Sequence, residues 1–140
     1  MSDYIPKILR TAVAERAKGS CEYCLSQARF ATQSFAIDHI QSVSFGGTTE
    51  LDNLALACPG CNGYKANRLD ATDPVTRQQV ALYNPRQHAW SEHFCWSKDF
   101  LLIIGLTPIG RATVEILRLN RQPLVNLRKA LYGLGEHPPT

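Results

Sequence analysis

The chain has 140 residues, of which 44% are hydrophobic and 19% charged, with a formal net charge of +3. This length suits one domain with a core of its own, and the mild positive charge permits nucleic-acid binding without requiring it. The composition excludes a membrane-spanning protein, because the best apolar run, FLLIIGL at 100–106, is only seven residues long. The N-terminal stretch lacks the apolar core of a secretory signal, so a cytoplasmic protein with reduced thiols is expected.

The first half of the chain is predicted to contain two helices and two strands. Pro6 suits the first position of a helix and Gly19 suits its end, with apolar residues between them at helical spacing. Further on, β-branched and aromatic residues favour strands on both sides of a turn-rich loop. In chain order the predicted elements are a helix over 6–18, a strand over 34–43, a loop over 46–53, a short strand over 54–57 and a helix over 59–69.

The second half is predicted to contain a hairpin and three helices. Asp73 and Pro74 indicate the start of a short helix, and Thr107 followed by Pro108 indicates the start of another. The predicted elements are a helix over 74–82, a β-hairpin of AWSEHFCW and DFLLIIGL joined by SKD, a helix from 107 to about 119, and a final helix over 122–133. Strands and helices do not alternate, so the fold class is α+β.

Four of the five cysteines form two C-x-x-C pairs, Cys21 with Cys24 and Cys58 with Cys61. Two such pairs supply the closed tetrahedral thiolate shell that suits a structural zinc ion, which has no open position for chemistry. A disulfide framework is disfavoured in the cytoplasm, and a redox dithiol needs only one pair. An iron–sulfur cluster stays open as an alternative, although its common spacings differ. Cys95 is expected to be a buried apolar residue rather than a ligand.

An acidic residue beside a histidine lies within the apolar run AIDHI at 36–40. A buried carboxylate is costly unless it is paired or binds a metal, so Asp38 and His39 indicate a site. Adjacent strand residues point to opposite faces, so the two can share a site only where the strand ends. Asn62, directly after the last cysteine, offers a second oxygen ligand for a hard ion such as Mg²⁺. His39 can then accept a proton from water, and Asn53 is expected to orient His39 by bridging the loop.

The run CEYC…AIDHIQSVSFGGTTELDNLALACPGCNGYK resembles the HNH endonucleases, also called ββα-metal or His-Me finger nucleases. The shared pattern is a C-x-x-C, an Asp-His pair, a Gly-Gly loop, an Asn-Leu, and a second C-x-x-C followed by His or Asn and a Lys. The resemblance implies that His39 is the general base, that Asp38 and Asn62 hold a catalytic Mg²⁺ or Mn²⁺, and that Asn53 positions the base. It also implies that the substrate is nucleic acid, specifically DNA, cut at its phosphodiester bonds.

The resemblance covers about residues 20–68 and predicts a ββα-metal core with a four-cysteine zinc site. On this interpretation residues 1–140 form one HNH nuclease domain, with an N-terminal helix and an extension over 70–140 that packs on the core. The extension, with its hairpin and helices, also resembles the tail of a bacterial subgroup of these proteins. No membrane is expected among the partners. A homodimer would allow cutting of both strands, and the sequence leaves the oligomeric state open.

Two positions depart from the commonest family pattern. Ser42 stands where many members have proline, and Asn62 stands where many have histidine. Asparagine retains an oxygen ligand, so neither departure implies inactivity. The alternative function is a zinc-stapled nucleic-acid-binding module without catalysis, and a weaker one is a protein-interaction domain.

Several basic residues and histidines have two interpretations each. Lys65 and Arg68 are expected either to contact phosphate or to lie on an exposed helix face. His88 and His93 are expected to pack or make polar contacts in an aromatic run rather than bind a second metal. The C-terminal basic residues are expected either to contact nucleic acid or to be solvated on helix faces: Arg111, Arg118, Arg121, Arg128 and Lys129.

Overall fold

A computed structural model describes residues 4–140, which form five helices and three antiparallel two-stranded sheets. The helices are α1 (Lys7–Arg16), α2 (Pro59–Lys65), α3 (Trp90–His93), α4 (Pro108–Ile116) and α5 (Gln122–Gly133). The strands are β1 (Ala36–His39), β2 (Leu54–Ala57), β3 (Asp70–Thr72), β4 (Gln79–Ala81), β5 (Phe94–Trp96) and β6 (Ile103–Gly105). The α+β prediction is confirmed.

The first sheet pairs β1 with β2, with Ala36 opposite Ala57 and His39 opposite Leu54. All four residues of β2 are buried, because α1 covers one face of the sheet and the cysteine cluster lies on the other. Val13 of α1 is fully buried and belongs to the smaller of the two hydrophobic core clusters. The predicted helix over 6–18 is therefore confirmed with slightly shorter ends.

Strand β1 is shorter than the predicted 34–43, because its pairing with β2 ends at His39. Beyond that residue, Asn53 provides the hydrogen-bond acceptors. The backbone N–H of Ile40 donates to the Asn53 carbonyl at 2.9 Å, and that of Gln41 donates to the Asn53 side chain at 2.9 Å. The strand thus ends at His39, which is the condition under which Asp38 and His39 can reach one site.

Helix α2 begins at Pro59 after Cys58, whose sulfur accepts the N–H of Cys61 in the first turn at 3.5 Å. It ends at Lys65 rather than near residue 69, because Ala66 adopts a positive φ of 49° that a helix cannot continue through. The order β1, β2, α2 is the expected ββα arrangement.

The predicted helix over 74–82 is wrong, because these residues form a turn and strand β4. The Asp73 carboxylate accepts the N–H groups of Val75 and Thr76, both at 3.2 Å, and so closes a turn instead of capping a helix. Residues 79–81 then pair antiparallel with β3. An Asp-Pro start is common to turns and helices, and the local sequence did not separate them.

The C-terminal hairpin is confirmed with shorter strands, since β5 and β6 pair only over three residues each. Trp90–His93, predicted as strand, is one helical turn in which the Glu92 carboxylate accepts the N–H of Ala89 at 2.7 Å. Helix α4 begins as predicted, with the Thr107 hydroxyl accepting the N–H of Gly110, and α5 matches the predicted 122–133.

The main core cluster extends from the first cysteine pair into the C-terminal extension. It includes the four clustered cysteines together with Phe94 and Ile103 of the hairpin and Leu124 of α5. Within residues 4–140, none of the helices has the length and apolar character needed to cross a membrane.

Candidate metal centre and active site

The sulfur atoms of Cys21, Cys24, Cys58 and Cys61 all lie within 4.8 Å of one another in the buried core. The Cys24 and Cys58 sulfurs are 3.6 Å apart, close to the roughly 3.8 Å edge of a tetrahedron with zinc–sulfur bonds of about 2.3 Å. The backbone N–H groups of Cys24 and Cys61 each point at the sulfur three residues earlier, at 3.5 Å. The residues present therefore fit a structural zinc ion.

The first cysteine pair is fastened to the sheet by the two residues inside it. Glu22 exchanges hydrogen bonds with Leu56 of β2: its N–H donates to the Leu56 carbonyl and its carboxylate accepts the Leu56 N–H, both at 2.8 Å. The Tyr23 hydroxyl donates to Oδ2 of Asp38 at 2.7 Å. Tyr23, which lies between Cys21 and Cys24 in the chain, thus links the cysteine cluster to Asp38.

Asp38 is only 5% exposed and receives two neighbouring donors. The Lys65 ammonium lies 3.1 Å from Oδ2 and 3.4 Å from Oδ1, and Tyr23 also binds Oδ2. Burial raises the pKa of Asp38 above its usual range, while Lys65 and Tyr23 partly offset that rise. Burial, followed by the charge of Asp38, also raises the pKa of Tyr23 well above its usual range.

Lys65 is an interior residue, which corrects both expectations for it. Its side chain is 2% exposed, and its ammonium also donates to the carbonyls of Ile40 at 2.9 Å and His39 at 3.3 Å. With these acceptors and the Asp38 carboxylate enclosing it, the ammonium cannot reach a phosphate. Lys65 instead joins α2 to the end of β1.

Asp38, His39 and Asn62 line one surface cavity of about 280 Å³. The turn over 42–44 also lines this cavity. His39 is half-buried, and its Nε2 lies 3.0 Å from the hydroxyl of Thr49. Sequence reasoning missed Thr49, because no motif position connects a loop threonine to the histidine ring.

Asn53 bridges the loop between β1 and β2, as predicted. Its Nδ2 donates to the carbonyls of Gln41 at 3.0 Å and Thr48 at 2.8 Å, while its Oδ1 accepts the Gln41 N–H. It does not contact the His39 ring. Its connection to His39 is indirect, since it fixes the backbone of Thr48, the residue before Thr49.

The two loop glycines are needed for different reasons. Gly46 adopts a φ of +88°, in the left-handed region where a side chain is strained. Gly47 has no room for a side chain, since a Cβ there would lie 1.8 Å from the Gln41 carbonyl oxygen and 2.9 Å from Nδ2 of Asn53. The Gly-Gly pair therefore allows the close approach on which the Asn53 bridge depends.

Arg68 is exposed, unlike Lys65, and lines an open cleft of about 590 Å³ beside the smaller cavity. Residues adjacent in sequence line the two cavities: 42–44 and Ala66 line the smaller cavity, whereas Phe45 and 67–68 line the cleft. Arg68 thus remains available for a phosphate group.

Three of the five C-terminal basic residues are engaged inside the protein. Arg111 makes a two-point ion pair with Asp73, both contacts at 2.9 Å, and Arg128 is buried, where it donates to the carbonyl of Leu119 at 2.6 Å. Arg121 faces the cysteine cluster. The expectations of solvated faces or nucleic-acid contact are therefore wrong for Arg111, Arg121 and Arg128, whereas Arg118 and Lys129 are exposed.

The remaining histidines and the fifth cysteine lie outside the candidate site. His88 accepts the N–H of Asn84 at 3.1 Å, and its ring packs 4.7 Å from that of His93, measured between centroids. Packing and polar contact were the predicted roles of both histidines. Cys95 is half-buried rather than buried, on strand β5.

Residues 21–68 match the family model described as HNH endonuclease. This range contains both cysteine pairs, the Asp-His pair, the Gly-Gly loop and Asn62. Over the segment 21–68 the chain is therefore similar to the HNH endonucleases, as the sequence resemblance indicated. Comparison with curated proteins gives no significant match.

Proposed function

We propose that this protein is a metal-dependent endonuclease that hydrolyses phosphodiester bonds in DNA. One observation carries the proposal: a single cavity brings together Asp38, His39 and Asn62 within the segment that matches the HNH family. These are a carboxylate, an imidazole and an amide, which can respectively bind a cation, accept a proton and complete a cation site. The choice of DNA over RNA rests on the family resemblance.

Asp38 and Asn62 would hold the divalent cation, Mg²⁺ or Mn²⁺. Oδ2 of Asp38 already binds Tyr23 and Lys65, while Oδ1 has only the longer 3.4 Å contact to Lys65 and can serve a cation. The donor set therefore fits a hard ion that keeps several waters. When bound, such an ion supplies positive charge that neutralises the phosphate and the leaving oxygen.

His39 acts as the general base in this proposal. Its Nε2 pairs with the Thr49 hydroxyl, and within residues 4–140 its Nδ1 makes no hydrogen bond. A neutral ring with its proton on Nε2 donates to Thr49 and leaves Nδ1 to accept a proton from water. Asn53 positions this ring indirectly, because it fixes the backbone of the residue before Thr49.

Arg68 is proposed to contact a backbone phosphate beside the cavity. It is exposed, it lines the open cleft two residues after Ala66 of the smaller cavity, and its guanidinium suits a phosphate. Residues 1–140 are proposed to act as one nuclease domain, in which the extension over 70–140 completes the core.

One observation favours the alternative, a nucleic-acid-binding module without catalysis. The Asp38 carboxylate already has a positive partner in Lys65, so its charge is balanced without a cation. In that case the cavity would bind a phosphate without cleaving it, and a divalent ion would not change the product.

The experiment is plasmid nicking with Mg²⁺ or Mn²⁺, comparing wild type with His39→Ala. We expect His39→Ala to keep its zinc and its melting temperature and to lose about 10²–10⁴-fold in cleavage rate, the usual contribution of a general base. The matched control is His88→Ala, which removes a histidine that does not line the cavity. Equal cleavage by wild type and His39→Ala would contradict the role of His39, and no cleavage by wild type with any divalent metal would favour the binding module.

A further inference from the structure

An arginine from the C-terminal extension contacts two of the clustered sulfur atoms. The Arg121 guanidinium places Nη2 3.4 Å from Sγ of Cys58 and Nη1 3.7 Å from Sγ of Cys61. Arg121 directly precedes α5 and is 60 residues beyond Cys61 in the chain. It lies outside the segment 21–68 that matches the family model.

Charge gives this contact its importance. One zinc ion and four thiolates carry two excess negative charges, and burying excess charge without a partner is costly. A guanidinium balances one of these charges, and its N–H groups give charge-assisted hydrogen bonds to the sulfurs. Among the four ligands Cys58 is the most exposed, at 5% against 0–1% for the others, and it borders an open groove that Arg121 also lines.

The guanidinium is held in place from several sides. Its Nη1 also donates to the carbonyls of Leu117 at 3.3 Å and Arg118 at 3.2 Å, and its central carbon lies 5.7 Å from the centre of the Tyr64 ring. A side chain fixed in this way loses little further freedom when it binds the sulfurs.

The residue at position 60 leaves space for this approach. A Cβ on Gly60 would lie 2.5 Å from Nη2 of Arg121, so any larger residue there would displace the guanidinium. Gly60 lies within α2, where glycine is unfavourable for the helix itself. The contact with Arg121 gives a reason for a glycine at this position.

We propose that Arg121 is an outer-shell residue of the zinc centre and increases its affinity for zinc, so that the extension completes the metal site of the HNH segment. The proposal concerns the structural metal only. It stands or fails independently of whether the protein cleaves DNA, because its test measures zinc binding.

The test is zinc affinity, measured by competition with a chromophoric chelator. We expect Arg121→Ala to weaken binding about 10–100-fold, the usual effect of removing an outer-shell partner. The matched control is Arg118→Ala, since Arg118 lies over the same Tyr64 ring at 4.9 Å without a sulfur contact. Arg118→Ala is expected to bind zinc as wild type does, and equal affinity in Arg121→Ala and wild type would overturn the proposal.

Two further variants separate charge from packing. Arg121→Lys keeps the charge and should retain part of the affinity, whereas Arg121→Gln loses the charge and should resemble Arg121→Ala. Wild-type affinity in Arg121→Gln would overturn the electrostatic argument. In the cobalt-substituted protein, loss of the N–H···S contacts should move the thiolate-to-metal charge-transfer band to longer wavelength. A change in packing alone would not shift this band.

Gly60→Ala provides a test that leaves Arg121 present. We expect it to weaken zinc binding in the wild-type background, because the new methyl group displaces the guanidinium. In the Arg121→Ala background the same change should have no effect on zinc affinity, because nothing remains to be displaced. An equal loss of affinity in both backgrounds would assign the effect to α2 itself and would overturn the proposal.

Discussion

Asp38 connects the four-cysteine cluster with the proposed active-site cavity. Tyr23 reaches it from between two cysteines, Lys65 reaches it from the last turn of α2, and both are buried. A carboxylate in this environment needs its partners to stay charged, and it must stay charged to bind a cation. The cysteine segments and the cavity are therefore linked through Tyr23 and Lys65, the side chains that surround Asp38.

Removal of the Lys65 ammonium is expected to destabilise the protein strongly. Lys65→Met leaves Asp38 as a buried charge without its cation, a change that costs about 3–5 kcal/mol. The free energy of unfolding, measured by urea denaturation at pH 7, should fall by this amount. The double variant Lys65→Met with Asp38→Asn should recover much of the loss, since it no longer buries an unpaired charge.

The pH dependence of Lys65→Met follows from the raised pKa of Asp38. A carboxyl whose pKa is higher in the folded protein than its ordinary value of 3.8 binds more protons when folded. Stability therefore falls as the pH rises from 3.8 through the raised pKa. Loss of Lys65 removes the positive charge that does most to lower the pKa of Asp38, so the pH range over which stability falls extends to higher pH. The melting temperature of Lys65→Met should rise when the pH is lowered from 7 to 5, more than in wild type. An identical pH profile in both proteins would show that Lys65 does not support the charge of Asp38.

At the scale of elements, the loop between β1 and β2 determines where His39 points. The loop is closed by the Asn53 amide, which contacts the backbone at Gln41 and Thr48. The hydroxyl of Thr49 then meets the His39 ring. None of these contacts belongs to a regular helix or strand, so their geometry depends on the glycines that let the chain pass closely.

Gly47→Ala is expected to lower cleavage without affecting zinc binding. The added Cβ would meet the Gln41 carbonyl oxygen at 1.8 Å, so the loop must move and the Asn53 hydrogen bonds weaken, at about 1 kcal/mol each. The control is Gly63→Ala in α2, where a Cβ meets nothing within 4 Å and should stabilise the helix by about 0.5–1 kcal/mol. Plasmid nicking and zinc content measure the two effects. Wild-type nicking by Gly47→Ala would show that the loop does not position His39.

At the scale of the whole molecule, the four-cysteine cluster lies within the main core. The four cysteines belong to the same cluster as Phe94, Ile103 and Leu124, which come from the extension. A metal in this position links the two halves of the chain. The extension also contacts the first cysteine pair, since Trp90 donates its ring N–H to the Tyr23 carbonyl at 3.0 Å.

Cys58→Ser is therefore expected to lower both stability and activity. Zinc binding contributes directly to folding free energy, so loss of one ligand should lower the melting temperature by at least about 10 °C. The control is Cys95→Ser, which changes the cysteine that lies outside the cluster. Thermal melts with and without a chelator measure the effect: the chelator should destabilise wild type and leave Cys58→Ser nearly unchanged. A Cys58→Ser variant that melts like wild type and stays active would contradict the structural role of zinc.

Much of the candidate site follows from local spacing. Two cysteines separated by two residues can reach one metal in any fold that forms the turn, and Asn62, directly after the second pair, lies in the helix that begins within that pair. The same holds for Asn53, whose bridge across a short loop involves residues 12 or fewer positions away. Such contacts are constrained by the chain itself, so a sequence can indicate them.

From the sequence alone, the close approach of the four cysteines, the Asp-His pair at the end of a strand and the ββα order could be predicted. Tertiary packing was needed to show that Lys65 points inward, that Arg121 contacts the sulfurs, and that 74–82 forms a turn and strand β4 rather than a helix. The physical reason is distance along the chain: Lys65 meets Asp38 across 27 residues and Arg121 meets Cys61 across 60, so packing of the whole molecule selects these partners. A sequence does not show whether a charged side chain points inward or outward, because its orientation depends on the residues that pack around it.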